Sequence, residues 1–402
     1  MSRFLFVFFL LLSAAAGAAP IDHAKREFDA AGGWALFKRA WVSAPSSQAG
    51  GAGLGPLFDA RSCNACHAGG GGGRVAEDAL GDGLVVRVGR ADGKGDPVYG
   101  TQMQMLALPG IEPEAEVAFH WQPSGDLRIA NIEFAKLNFG ALATGTHAGL
   151  RRAPSLFGLG ELEDVPDAAI LAQSHGGRPS WIVEADGTRK LGRWGWKAAT
   201  PELPSQIEIA FQRDFGISTS GHPDAFGECT PAEKQCRAAA VAGIEVPDES
   251  RDVIAAYLRL LRRPEPKNEA APGFVLFQRA GCADCHARLT DSKGRPVYAY
   301  TDLLLHDLGA GLDDGIAEGV ARSSEWRTAP LWDVADNLAQ GGLLHDGRAR
   351  SIPEAVQWHD GEAAPSRLAF NALSAAEQTK IVDFLLASGT PDSDPAAKRP
   401  DR

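Results

Sequence analysis

Two copies of one five-residue motif constrain this chain more than any other feature of its sequence. CNACH begins at residue 63 and CADCH at residue 282. In Cys-x-x-Cys-His, two thiols add to the vinyl groups of a haem and the adjacent imidazole becomes an iron ligand. A zinc site or a thioredoxin-like pair also uses Cys-x-x-Cys, but the complete motif at the head of two similar segments favours two covalently bound c-type haems. The predicted attachment residues are Cys63, Cys66, Cys282 and Cys285, and the predicted proximal ligands are His67 and His286.

The first 18 residues have the pattern of a secretory signal peptide. Arg3 precedes an apolar run at 4–12, and Ala16-Gly17-Ala18 fits a cleavage site before Ala19. A membrane anchor is the alternative, but a span needs about 20 apolar residues and this run is shorter. The sequence therefore predicts a periplasmic protein without a membrane span, in a compartment where haem c is attached and disulfides persist.

The two cysteines outside the motifs, Cys229 and Cys236, lie seven positions apart around Thr230-Pro231. In an exported protein this spacing predicts a disulfide that pins a surface loop, with free thiols as the alternative.

The charge balance is acidic. The sequence has 40 lysines and arginines and 51 aspartates and glutamates, so its formal net charge is −11. The net charge becomes −12 once Arg3 is removed with the signal peptide. Nucleic acid and anionic membranes are therefore poor partners, and a small cationic redox protein is the expected one. Solubility alone is the alternative explanation of the charge.

The chain reads as a duplicated module with unequal insertions. Leu57-Phe58 precedes the first motif by the same interval as Leu276-Phe277 precedes the second, and each half ends in an amphipathic helix, predicted at 252–261 and 377–387. A β-hairpin is predicted at 116–134, and a second around Asp186-Gly187. The predicted fold class is mainly α, with two cytochrome c-like domains and small β-hairpin insertions. The predicted organisation is a signal peptide at 1–18, an N-terminal haem domain with insertions at 19–263 (the first module), a linker at 264–272, a C-terminal haem domain at 273–390 (the second module) and a disordered tail at 391–402.

Few residues are available as distal iron ligands. After residue 18 the only methionines are Met103 and Met105, so at most one haem can have the His/Met ligation that raises a reduction potential. The histidines in polar stretches, interpreted as surface residues, are His23, His175 and His222. The histidines nearer hydrophobic or motif-like segments are His120, His147, His306, His345 and His359.

Eight segments of the chain resemble one protein family. They are ALFKRAWVSAPSS, GPLFDARSCNACH, DPVYGTQMQ, LRRAPSLFGLGELEDVP, GRWGWKA, TDLLLHDLGAGLDDG, EWRTAPLWDV and LLHDGRARSIPEAVQWHDGEA. The family is the di-haem oxidoreductase group, formerly called thiol oxidoreductases, which is related to bacterial di-haem cytochrome c peroxidases. The resemblance covers nearly the whole chain after residue 18. It implies two haem c cofactors and a small oxidant such as hydrogen peroxide as substrate.

The segment HDGRARSIPEAVQWH resembles the peroxidase pattern in which an HDG turn leads into a helix that carries the sixth ligand of the second haem. Peroxidases usually have Met at that position, and the related tryptophan-modifying enzyme of methylamine utilisation has Tyr, whereas this chain has His359. The resemblance therefore implies a low-spin, lower-potential centre held by His286 and His359. The alternative is that His359 caps its helix near Asp360. His345 is interpreted as a residue of the turn and not as a ligand.

The first haem looks different. Related peroxidases often carry a displaceable His after the first motif, but no histidine lies between His67 and His120 here. We expect an open sixth position, and closure by His120 or by His147 is the alternative.

The segment DPVYGTQMQMLALPGIEPEAE resembles the distal segment that supplies a Gln and, ten residues later, a Glu. Gln102 with Glu112 and Gln104 with Glu114 both fit this interval, and the Leu-Pro-Gly order differs from the usual Gly-Pro, so both pairs are catalytic candidates. A carboxylate above an open iron can move the peroxide proton from the near to the far oxygen. The alternative is that these glutamates belong to a solvated turn.

Two functions remain open. In the first, the chain is a peroxidase-like oxidoreductase whose C-terminal haem relays electrons from a small redox protein to the open N-terminal haem. In the second, both irons are six-coordinate, and the chain is an electron-transfer cytochrome that serves a periplasmic redox or metal-handling partner. Trp194 or Trp196 is expected between the haems, with a place in the core as the alternative. Calcium, which related peroxidases bind between domains, is left open because the segment before HDG is NLAQGG and not their Thr-Ala-Pro type.

Overall fold

The computed structural model describes residues 19–44, 53–76, 80, 83–173, 176–241, 243–261 and 267–387. The predicted signal peptide, the predicted tail at 391–402, His175 and the start of the predicted linker lie outside these ranges. Within the described ranges, no helix is long and apolar enough to cross a membrane.

The regular elements are short and alternate along the chain. The helices of the described residues are α1 (Ala19–Lys38), α2 (Cys63–Cys66), α3 (Leu159–Glu163), α4 (Asp167–Leu171), α5 (Leu203–Phe215), α6 (Lys234–Ala239), α7 (Asp248–Leu260), α8 (Pro272–Arg279), α9 (Val334–Gln340), α10 (Ile352–Gln357), α11 (Ala364–Asn371) and α12 (Ala375–Leu386). The strands are β1 (Leu57–Phe58), β2 (Leu84–Gly89), β3 (Gln102–Met103), β4 (Leu106–Ala107), β5 (Ala115–Ser124), β6 (Leu127–Leu137), β7 (His147–Arg152), β8 (Ser180–Val183), β9 (Arg189–Gly192), β10 (Leu289–Thr290), β11 (Pro296–Val297), β12 (Leu305–Asp307) and β13 (Glu325–Arg327).

The predicted mainly α fold class is wrong. The structure is 32% helical with about 20% strand, and the strands form many small sheets, so the fold is mixed α/β. Most of the additional strand lies between the first motif and α3, where β2 is the centre of a β3-β2-β7 sheet and β5 pairs with β6 over ten residue pairs. The β5–β6 hairpin alternates between apolar and polar residues, as expected of a half-buried strand, whereas β2 is buried along most of its length and the two-residue strands are too short to alternate.

Both predicted hairpins are confirmed. β5 and β6 turn at Gly125, whose φ of 61° lies in the left-handed region that favours glycine. β8 and β9 flank Asp186-Gly187. The predicted disulfide between Cys229 and Cys236 is also present.

In each of the residue ranges 19–263 and 273–390, a glycine lets the first helix pack closely against the last one. In the first module α1 crosses α7 so closely that a side-chain carbon at Gly33 would lie 2.0 Å from the Val253 carbonyl oxygen. In the second module α8 crosses α12, and a side-chain carbon at Gly273 would lie 2.0 Å from the Lys380 carbonyl oxygen. Only glycine permits these approaches.

An aromatic residue lies four positions after each of these glycines. The Phe37 ring centre lies 5.3 Å from that of Tyr257, and the Phe277 ring centre lies 5.7 Å from that of Phe384. Burial of each phenylalanine stabilises the fold by about 1.5–3 kcal/mol. Both phenylalanines also line the cavity that lies between the modules.

Candidate haem-binding site

Both motifs line one cavity of about 470 Å³. Its lining is largely apolar and comes from both modules, for example Phe211 on α5 and Phe370 on α11. Trp194, Trp196 and Trp326 also line it. The fold therefore brings the two predicted haem positions, which are 219 residues apart in sequence, to a common interior space.

Local hydrogen bonds shape the first motif. The Ser62 hydroxyl oxygen accepts the Ala65 backbone N–H at 3.1 Å and caps α2, and the Asn64 side-chain oxygen accepts the Gly69 N–H at 3.0 Å. Burial lowers the pKa of His67 to about 4, so its imidazole is neutral at neutral pH. A neutral imidazole is the form that binds a metal.

The second motif places its histidine close to a second imidazole, with the two ring planes tilted by 48°. His286 Nδ1 donates to the Tyr300 carbonyl oxygen at 2.9 Å, and His359 Nδ1 donates to the Ala355 carbonyl oxygen at 2.8 Å. A carbonyl can only accept, so Nδ1 carries the proton in each ring and Nε2 keeps its lone pair. Burial, together with the nearby His359, lowers the pKa of His286 to about 4, and burial also lowers the pKa of His359.

The separation of these two rings suits one metal between them. Their centres lie 6.5 Å apart. A metal–imidazole bond is about 2 Å long and the bonded nitrogen lies about 1 Å from its ring centre, so two imidazoles on one metal place their ring centres about 6 Å apart. His286 and His359 therefore fit a haem iron with two axial histidines.

His306 cannot take that role. Its Nε2 lies 2.8 Å from Asp302 Oδ2 and its Nδ1 lies 2.9 Å from Glu362 Oε2. Burial alone would lower the pKa of His306, but its bonds to Asp302 and Cys285 raise the pKa to about 11. A protonated imidazole has no lone pair for iron.

The motif cysteines fit attachment better than zinc or thiol chemistry. All four line the cavity, and none of them is in a disulfide. Burial raises the pKa of Cys63 and of Cys282 to about 12, so these thiols are protonated and are poor nucleophiles. Among the described residues the one group close enough to share a metal is Cys285, Asp302 and His306, and it contains only one motif cysteine.

Buried donors without partners face the cavity where haem carboxylates can bind. Arg152 Nη2 and Trp194 Nε1 are buried and have no hydrogen-bond partner in the described part of the chain, and both residues line the cavity. Leaving such a donor unpaired costs about 1–3 kcal/mol or more. The residues present therefore fit an anionic cofactor in this cavity.

Of the other candidate ligands Met103, Met105, His120, His147 and His345, only His345 lines the cavity. Met103 is buried in the apolar cluster around β2, and Met105 does not line the cavity. His120 is exposed on β5 near Glu133, and His147 is exposed at the start of β7. His345 lines the cavity, but its ring stacks on Trp326 with 3.8 Å between ring centres.

Only Gln102 of the four catalytic candidates lines the cavity. Gln104 Nε2 donates to the Arg213 carbonyl oxygen at 2.7 Å. Glu114 is buried outside the cavity, where it accepts the Gln104 backbone N–H; burial, and then the neighbouring Glu233, raise its pKa. Glu112 is exposed and does not line the cavity either.

A charged wall of the cavity was missed by the sequence analysis. Glu318 lies 3.1 Å from Arg213 and 3.6 Å from Arg87, and all three line the cavity together with Asp214. Burial alone would raise the pKa of Glu318, but Arg87 and Arg213 lower it to about 2. The one available signal was Arg87 itself, a charged residue inside the apolar strand LVVRVG.

One comparison with known proteins relates the chain to a family of haem proteins. A family model described as "Di-haem oxidoreductase, putative peroxidase" matches residues 135–388. No curated protein matched the chain. Two solved structures are similar. Hydrazine synthase of Kuenenia stuttgartiensis is 14% identical, with 96% of this chain and 100% of that chain covered and a TM-score of 0.37. The diheme peroxidase BthA from Burkholderia thailandensis is 15% identical, with 89% and 85% covered and a TM-score of 0.39.

Proposed function

Because the chain belongs to the di-haem oxidoreductase family and is a haem-dependent oxidoreductase, we propose that it is a periplasmic peroxidase with one reactive and one electron-relaying haem. In this proposal Cys63, Cys66 and His67 hold the reactive haem c. Cys282, Cys285, His286 and His359 hold the relaying haem c.

One observation carries the proposal. The neutral imidazoles of His286 and His359 lie close together at the second motif, whereas no histidine ring of the described residues pairs with His67 in this way and neither methionine lines the cavity. An iron with two histidine ligands transfers electrons without binding a substrate, and an iron with one protein ligand leaves a position for a small molecule. This difference between the two haem positions favours one reactive and one electron-relaying haem over an electron carrier in which both irons are six-coordinate.

A haem bound at His67 would supply an iron with an exchangeable position for peroxide. The chain supplies the environment. The apolar lining around Phe211 limits water, the Arg87–Glu318–Arg213 wall holds fixed charges, and His67 remains a neutral ligand. Preorganised charges in a water-poor site stabilise developing charge at little cost in reorganisation.

Electrons are expected to enter from a small cationic redox protein, since the chain carries −11. The tryptophans in the cavity wall offer aromatic contacts between the two haem positions, and Trp326 is the most constrained of them. Its ring stacks on His345, and Lys197 Nζ lies 3.6 Å from the ring centre.

The direct test is to mix hydrogen peroxide with the resting ferric protein and to follow the haem absorbance in a stopped-flow instrument. We expect an immediate, concentration-dependent spectral change, because an open position needs no prior one-electron reduction to displace a ligand. If the spectrum changes only after reduction, or never, the electron-transfer cytochrome becomes the better account.

A further inference from the structure

Gln102 connects two carboxylates at the wall of the first haem position. Its Nε2 donates to Asp59 Oδ2 and to Asp214 Oδ1, both at 2.8 Å. Its Oε1 accepts from Arg87 Nη1 at 3.3 Å. These partners fix the amide orientation, because a guanidinium can only donate and an ionised carboxylate can only accept.

Of the two carboxylates, Asp214 is the one that faces the cavity. It lies on α5 and lines the cavity with Gln102, whereas Asp59 does not line it. No described group donates to Asp214 Oδ2, since the one bond to its side chain reaches Oδ1. Asp214 is also near the first attachment thiol: burial, and then the Asp214 charge, raise the pKa of Cys63.

Both side-chain oxygens of Asp59 accept hydrogen bonds from neighbouring residues. Its Oδ1 accepts the Met105 backbone N–H at 3.1 Å, and its Oδ2 accepts from Gln102. The backbone N–H groups of Asp59 and Ala60 both donate to the Asp214 carbonyl oxygen, at 2.9 and 3.0 Å. The segment before the first motif is thereby fastened to the end of α5.

Burial raises the proton affinity of both carboxylates of this pair. Burial raises the pKa of Asp59 to about 7, with Asp214 adding to the rise, and burial also raises the pKa of Asp214. The groups that face the pair are Arg87, Arg213, Glu228, Gln102 and the Cys63 thiol. A pair of this kind can take up and release a proton near pH 7, as acid/base catalysis requires.

The geometry points to Asp214 as the acid/base group of the first haem pocket, with Gln102 and Asp59 as the residues that position it. This inference rests on the proposed function, and it assigns the proton transfer to a residue of α5 and not to the glutamates of the 102–116 segment. The deciding observation is that Asp214 reaches the cavity while the Glu112 and Glu114 side chains do not.

In this inference Asp214 moves one proton from one oxygen of hydrogen peroxide to the other. Asp214 carboxylate accepts the proton from the inner oxygen of hydrogen peroxide and gives it to the outer oxygen, which leaves as water when the O–O bond breaks. The inner oxygen is reduced to a second water by two electrons from the donor protein and two protons from solvent. One peroxide, two protons and two electrons thus give two waters.

The test compares three variants with the native ferric protein. Hydrogen cyanide must also lose a proton when it binds a ferric haem, so the rate of cyanide binding across pH 5 to 9 reports the base without turnover. In the native protein we expect this rate to change around pH 7. Asp214→Asn should slow the reaction with peroxide by roughly 10²–10⁴, the range for loss of a general acid/base, and should flatten the cyanide pH profile.

Asp59→Asn should keep a pH dependence but move it to lower pH, because the pair loses the carboxyl group whose pKa is about 7. This result tests the inference even if the Asp214→Asn variant does not fold. Glu245→Gln is the matched control: Glu245 is a carboxylate with a pKa raised by burial, bonded to Ser218 and outside the cavity, so both rates should match the native rates.

The inference is overturned if Asp214→Asn folds, binds haem and reacts with peroxide and cyanide at native rates. It is equally overturned if Asp59→Asn leaves the pH profile unchanged. Failure of the proposed function looks different, because the native protein itself would then react with neither peroxide nor cyanide.

Discussion

His359 differs from His306 by what its ring nitrogens contact. Its Nδ1 is satisfied by the Ala355 carbonyl and its Nε2 is left for a metal, whereas both nitrogens of His306 are taken by carboxylates. His359→Ala should therefore convert a low-spin signal of the ferric protein to high spin in electron paramagnetic resonance. His345→Ala is the matched control and should leave the low-spin signal in place. Survival of that signal in His359→Ala would show that another residue is the ligand.

The buried His306 cation makes stability depend on pH. Its bond to Asp302 raises the folded pKa above the usual 6.5, so its contribution is complete below pH 6.5 and is lost as the pH rises through the folded pKa. His306→Gln should consequently lower the urea midpoint more at pH 6 than at pH 9. A midpoint difference that grows with pH would contradict the protonated assignment.

At the scale of elements, the β5–β6 hairpin reaches from the first module to the HDG turn of the second. Arg128 Nε donates to the Arg348 carbonyl oxygen at 2.9 Å, and its guanidinium lies 4.3 Å from the centre of the Trp121 ring. Arg128→Ala should cost about 1–3 kcal/mol of stability and speed amide exchange at 343–349. Arg189→Ala on the β8–β9 hairpin removes only a ring contact to Trp181, so it should change neither quantity appreciably. Unaltered exchange in Arg128→Ala would mean that the hairpin does not support the turn.

Sequence reasoning succeeded where the pattern is local and failed where it is not. The two hairpins, the disulfide and the final helices α7 and α12 follow from periodicity and turn residues that lie close in sequence. The amount of strand was underestimated because several strands contain only two residues, too few to show an alternation. The Asp59–Gln102–Asp214 contact joins three segments up to 155 residues apart, and only tertiary packing brings them together.

At the scale of the whole molecule, both motifs open to one cavity and each should carry one covalent haem. Protein matured in a periplasm should keep two haems after denaturation, because thioether bonds do not depend on the fold. Replacing Cys282 and Cys285 together with alanine should reduce the intact mass by one haem and leave the other. A native mass with fewer than two haems would contradict covalent attachment at both sites.

The central claim is that the two haem positions differ, one open at His67 and one closed by His286 and His359. Electron paramagnetic resonance of the resting ferric protein, before and after cyanide, tests it most directly. We predict one high-spin and one low-spin signal of equal spin count, with cyanide converting only the high-spin signal. Two low-spin signals that cyanide leaves unchanged would contradict the claim.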